Sequence, residues 1–171
     1  MRIPLFTLLF ALAGLIVAQG QASIDVQLKE LFPAAVTFAP KSGTPPHFKA
    51  QLAEPGSGKP TLGGLAFWTT ELEPLERGYD GPIKILVGMD TKGILAGVVV
   101  VEHNEPYGNF SVDTPEFAAQ FKGKNIRDPF RVGADIDAVS RATVSVTSAA
   151  RAVRNSARRV ARQLLTPDPP K

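Results

Sequence analysis

From Asp137 to Ser145 the chain reads Asp-Ala-Val-Ser-Arg-Ala-Thr-Val-Ser, an acid followed by three hydroxyls at the entrance to a long apolar-periodic segment. A helix start offers unpaired backbone N–H groups and a partial positive charge, which suits a phosphate. Plain helix capping by Ser or Thr accounts for the same residues and is, on physics alone, the simpler reading. Further upstream, His103-Asn104-Glu105-Pro106-Tyr107-Gly108 places a histidine and an acid on a turn after an apolar run. What is missing bounds the chemistry. With no cysteine there is no disulfide, thiolate metal site or thioether-linked haem. His47 and His103 are the only histidines and lie far apart in sequence, which argues against a dedicated transition-metal site. Any redox work therefore needs an organic cofactor. Gly56-Ser57-Gly58-Lys59 is not a phosphate-binding loop, because Ala53 stands where its first glycine belongs and Pro60 replaces the metal-binding hydroxyl.

The elements that must position these residues follow an α+β order. Residues 23–31 have the spacing of a short amphipathic helix, with Ile24, Leu28 and Leu31 on one side and Pro33 ending it. Residues 40–61 are rich in Pro, Gly and Ser and read as a loop around a short strand at 47–52. Strand composition recurs at 62–70, 83–89 and 94–102, and Asp90-Thr91-Lys92-Gly93 joins the last two as a hairpin. Residues 114–121 form a short helix and 145–165 a long one, with Ala149, Val153, Val160 and Leu164 along one face. The expectation is one compact domain, an antiparallel sheet with flanking helices and a long C-terminal helix. Ile85, Val87 and Val98 belong to its core, and Trp68 and Tyr79 are expected to pack.

Three segments together resemble the FMN-binding domain family, closest to the domain of the NosR/NirI regulator-like proteins. Asp137, Ser140, Ala142 and Thr143 match the D-x-x-S/T-G-A-T pattern at which a flavin transferase esterifies FMN to threonine; Arg141 stands where the family usually has glycine. The stretch from His103 to Gly108 is similar to the family's H-x-E-P turn, and 78–90 to its G-Y-x-G-x-I-x-x-L-V-G-x-D core. The resemblance implies covalent FMN on Thr143, with Asp137, Ser140, Arg141 and Ala142 around the attachment point. It also implies that Glu105 and the backbone near Pro106 and Gly108 contact the isoalloxazine. His103 is either close enough to influence the reduced ring or simply a histidine on a surface turn. A guanidinium at Arg141 can pair with the FMN phosphate.

Arg2, the apolar run 3–17 and the small residues around Ala18-Gln19-Gly20 read as a cleavable signal peptide over 1–22, placing a 23–165 FMN-binding domain in the periplasm without a stable membrane span. Residues 166–171 read as a disordered tail. The net charge is +3; without Arg2 it is +2, and six arginines between 141 and 165, with no acid, leave about −4 for the rest. That basic helix is either a solvated face or a docking surface; nucleic acid is not expected for an exported chain with no aromatics among these arginines. Three functions are compatible with the whole: an electron carrier serving a membrane reductase or cytochrome, a flavin-dependent reductase of a small substrate, or a flavin-free accessory module of the same fold. The first fits best, because no convincing acid–base set exists beyond His103 and Glu105, and an electron-transfer protein is expected over a stand-alone enzyme.

Overall fold

A computed structural model describes residues 24–165; the expected leader and the expected disordered tail lie outside them. The described part is α+β. A five-stranded sheet runs β1 (Thr37–Ser42), β2 (His47–Ala53), β3 (Pro60–Trp68), β4 (Lys84–Asp90) and β5 (Leu95–Glu102) in sequential order. Every neighbouring pair is antiparallel. Helix α1 occupies residues 24–31. A single helical turn, α2 (Thr69–Leu72), follows β3; α3 (Pro115–Ala119) and the long α4 (Thr143–Val160) follow the sheet, and α4 ends in a wider π-helical turn at Ala161–Leu165.

The sheet is covered on both faces, and strand alternation sorts its residues between them. Leu65 and Phe67 of β3, Ile85, Val87 and Met89 of β4, and Val98 of β5 pack with α4. Ala66, Trp68 and Leu86 point the other way, into a second cluster with Leu28, Leu31 and Phe32 of the N-terminal helix. Burial on both sides is why β4 reads as an almost unbroken apolar run. Helix α4 lies on the sheet through Val146, Ala149, Ala150, Val153, Ala157 and Val160, all at most 1% exposed. Alanine at three of these six contacts lets the helix sit close, while its arginines stay on the outer face.

The expected helix at 23–31, the 90–93 hairpin, the core residues and the long terminal helix are all present. Strand β1 is a correction: the sequence pattern assigns its first residues, 37–39, to no element and reads its last, 40–42, as loop, yet it pairs with β2, Thr37 opposite Gln51 and Ser42 opposite His47. Pro40 hid it, yet an edge strand tolerates proline because one side of its backbone faces no partner. The 56–59 glycine segment closes the β2–β3 hairpin, with Glu54 N–H donating to Lys59 O at 2.8 Å.

Candidate functional site

Thr143 is the first residue of α4, and the position before it, Ala142, supplies no side-chain cap. The first intrahelical bond comes from Val146 N–H to Ala142 O at 3.0 Å, so the N–H groups of the opening turn stay available to an anion. The capping account of the hydroxyls therefore fails here. Thr143 is exposed, and its Oγ1 makes one weak 3.4 Å contact to Val139 O. Ser145 is buried, and its hydroxyl donates to the Glu105 carboxylate instead of to the helix start.

Arg141 adopts φ +68°, in the left-handed region. That is the conformation for which glycine is the unstrained residue, so the chain keeps the backbone of a glycine position while carrying a guanidinium there. The twist turns the chain into α4 and leaves Arg141 exposed beside Thr143.

Arg141, Thr143, Val144 and Ser145 form one wall of a cleft of about 340 Å³, and Tyr79, Pro106 and Tyr107 form the other. The volume falls in the range of small-molecule sites. Its composition is that of a site for a flat ring carrying an anionic arm: two tyrosines, a proline and a valine give apolar walls, and the helix start and Arg141 supply positive charge.

Glu105 holds the walls together. It is 6% exposed, and its carboxylate accepts from Tyr79 N–H and Asp80 N–H, each at 3.0 Å, as well as from Ser145. Gly78 is obligatory beside it, because a Cβ there would come within 2.3 Å of Glu105 Oε1. His103 does the same within its own turn. Its Nδ1 accepts from Glu105 N–H at 3.0 Å, so its Nε2 carries the proton that goes to Asp113 Oδ1 at 2.7 Å. The imidazole lies on Gly108, where a Cβ would sit 2.1 Å from Cε1.

The structure thus brings Pro106, Arg141 and Thr143 to one cleft. Glu105, His103 and Gly108 stand behind it as the frame of the turn, and Ala142 is buried at the helix entrance. Asp137 and Ser140 are exposed on the approach to α4 and are not among the cleft's lining residues; Asp137 is fixed by its N–H, which donates to the Gln120 amide oxygen at 2.6 Å. Sequence reasoning missed Tyr107 and Val144 and misjudged Tyr79. Trp68 packs as expected, but Tyr79 is 73% exposed and lines the cleft. No local signal marks it, because the Glu105 carboxylate that holds its N–H lies 26 residues away.

Residues 78–158 match the FMN-binding domain family. This part of the chain belongs to that family. All seven cleft-lining residues fall inside the matched stretch, whereas strands β1 to β3 fall outside it. The chain is also similar to one component of the ion-translocating oxidoreductase complex of Vibrio vulnificus (strain YJ016), with 32% identity over 89 residues, or 46% of this chain. That match covers 42% of the relative, so the chain spans less than half the length of the curated protein it resembles. FMN is the cofactor the family assignment supports, and the cleft at the start of α4 fits it in size, wall chemistry and charge. Among the described residues no helix is long and apolar enough to cross a membrane, and no group of His, Cys, Asp and Glu is arranged to hold a metal ion.

Proposed function

We propose that the chain is an exported, periplasmic electron carrier whose FMN is held by a phosphoester bond to Thr143 and which exchanges electrons with membrane or periplasmic redox proteins. The observation that carries this reading is the position of the Thr143 hydroxyl, exposed at an uncapped helix start on the wall of the tyrosine-lined cleft. The similarity to a component of an ion-translocating oxidoreductase complex supports an electron-transfer role within a larger redox assembly.

FMN, when bound, supplies the redox chemistry; the chain supplies its placement. The opening N–H groups of α4 and the Arg141 guanidinium favour a phosphate beside Thr143. Tyr79, Pro106, Tyr107 and Val144 would keep water from the faces of a bound flat ring, and Glu105 fixes the spacing of the two walls. A tether makes retention independent of affinity, which matters outside the cytoplasm, where a dissociated cofactor is lost by dilution. Attachment requires a flavin transferase with access to Thr143, and its exposure in the free protein meets that need.

The test is co-expression of the exported chain with a flavin transferase, followed by denaturing electrophoresis and intact mass. The expected product fluoresces after denaturation and is heavier by one FMN less one water, with the added mass on the peptide containing residue 143. A denatured protein of unmodified mass would overturn covalent attachment. Recovery of the labelled protein in the cytoplasmic rather than the periplasmic fraction would overturn the placement.

A further inference from the structure

Helix α4 presents an outer stripe from Val144 through Thr147, Arg151, Arg154 and Arg158 to Arg162, between two walls of loop. One wall, around residues 73–77, is tied on by the pairs Arg151–Glu76 at 3.3 Å and Arg159–Glu73 at 3.0 Å. The other, around 126–132, is held by Arg158, which donates to Ile126 O at 2.7 Å and Asp128 O at 2.8 Å, and by Arg154, which donates to Pro129 O at 3.4 Å. Between the helix and this second wall runs a groove of about 380 Å³ lined by Arg131, Arg151, Arg154 and Arg158.

Two features separate this groove from an ordinary solvated face. None of the ion pairs among the described residues neutralises Arg131, Arg154 or Arg158. Arg154 and Arg158 are anchored by neutral carbonyls, so their heads are held in place with their charge intact. The groove is also continuous with the cofactor cleft. A depression of about 240 Å³ shares Thr147 and Arg151 with the groove, and Thr143 and Val144 with the cleft. Large apolar side chains stand beside this path: Leu75 is 92% exposed, Tyr79 73% and Val144 56%. Arginine with exposed aliphatic and aromatic groups is the make-up of a protein interface.

We infer that the outer stripe of α4 is a docking track for the carboxylate-rich face of a protein redox partner, which it seats next to Thr143. The partner's redox role rests on the FMN reading; the docking itself requires only the arginines.

The full exported protein, with and without attached flavin, is titrated into fluorescein-labelled decaglutamate, with anisotropy as the readout. Binding is expected at low ionic strength and lost near 1 M salt, where the Debye length is about 3 Å. Arg131→Gln/Arg151→Gln is expected to weaken it about fivefold or more, while Lys59→Gln, in the exposed β2–β3 turn, leaves it unchanged. Arg154 and Arg158 stay intact because they hold the 126–132 loop, and Glu76→Gln, which breaks the Arg151–Glu76 pair without removing an arginine, is expected to keep binding. In a second arm, reduced acidic ferredoxin delivers one electron per molecule oxidised to the attached flavin. Its rate should fall with salt and in the double variant, whereas electron exchange with basic cytochrome c should not fall in the double variant. If no flavin is attached, only this second arm disappears and the peptide arm still decides. Equal peptide binding by the double variant and the wild type overturns the proposal. So does capture of phosphatidylglycerol vesicles through these arginines with no binding of the peptide, which would make the track a membrane surface.

Discussion

The Ser145 hydroxyl donates to the Glu105 carboxylate, joining the turn after β5 to the first turn of α4 across 40 residues of chain. The same carboxylate receives Tyr79 and Asp80 N–H, so one buried group sets the positions of three segments that meet at the cleft.

Glu105→Gln replaces one acceptor oxygen with a donor that faces other donors. A loss of about 1–3 kcal/mol is expected from the unsatisfied group, which for a chain of this size lowers Tm by roughly 2–4 °C per kcal/mol. Ser145→Ala leaves the other two donors in place and should cost about 1 kcal/mol. Thermal and urea melts measure both. If Glu105→Gln were neutral, the carboxylate would not be the frame of the site.

Arg141 tests the backbone at the same entrance. A side chain in the left-handed region costs on the order of 1 kcal/mol, partly offset by the extra unfolded-state freedom that glycine brings. Arg141→Gly should therefore stabilise the fold by up to about 1 kcal/mol, and Arg141→Val should destabilise it by more than that, since a β-branched residue at φ +68° is strained further. Denaturation midpoints of the two variants, read against the wild type, give the sign. A destabilising Arg141→Gly would mean that the guanidinium contributes more than the strain it imposes.

The Thr143 hydroxyl contributes little to the fold, because its single hydrogen bond is long. Thr143→Val should leave stability within about 0.5 kcal/mol while abolishing the flavin fluorescence that survives denaturation. Loss of both folding and fluorescence would leave the attachment point unproven, and Thr143→Ser, which restores a hydroxyl, is expected to recover the label.

The layers of this fold were legible where a short-range pattern carries the information. The 83–102 hairpin follows from apolar strands flanking Asp90 to Gly93, and α4 follows from its apolar stripe and the prolines after it. The segment 137–143 was legible through its resemblance to a family pattern, in order and spacing with two others. What stayed hidden depends on distant contacts. Strand β1 is defined by its pairing with β2 more than by its own composition. Tyr79 looked like core because aromatic residues usually are, and only the Glu105 clamp on its backbone explains how it stands in solvent. The hydroxyl cluster looked like caps because nothing local shows that Ser145 turns to an acid 40 residues upstream.

A second carboxylate, the half-buried Asp135, gives a pH prediction. Burial alone would raise the Asp135 pKa, but the N–H groups of Arg131 and Phe130 and the Lys124 ammonium outweigh it and hold the carboxyl below its ordinary value of 3.8. A folded-state pKa below the unfolded one gives stability that is present above that ordinary value and lost as pH falls through the folded one. Asp135→Asn is therefore expected to cost about 1–3 kcal/mol at neutral pH, with the gap to wild type closing below pH 3.8. Urea midpoints of both proteins across the acid range measure it; a gap that stays constant would show that the ionised form is not what the loop 130–135 needs.

Tyr79 and Tyr107 separate the site from its frame. Both are exposed, at 73% and 44%, so Tyr79→Leu and Tyr107→Leu should each leave Tm nearly unchanged. Both line the cleft, and an aromatic ring held against a flavin quenches its fluorescence. In flavin-loaded protein each variant should therefore fluoresce more strongly than wild type when native, and equally once denatured, because attachment through Thr143 does not need either ring. Equal native fluorescence in all three proteins would place the ring outside this cleft. Unequal denatured fluorescence would mean that the tyrosines act on attachment and not on the placement of the bound cofactor. Native spectra matched to wild type in Tyr79→Leu but not in Tyr107→Leu would assign the contact to the turn after β5 alone.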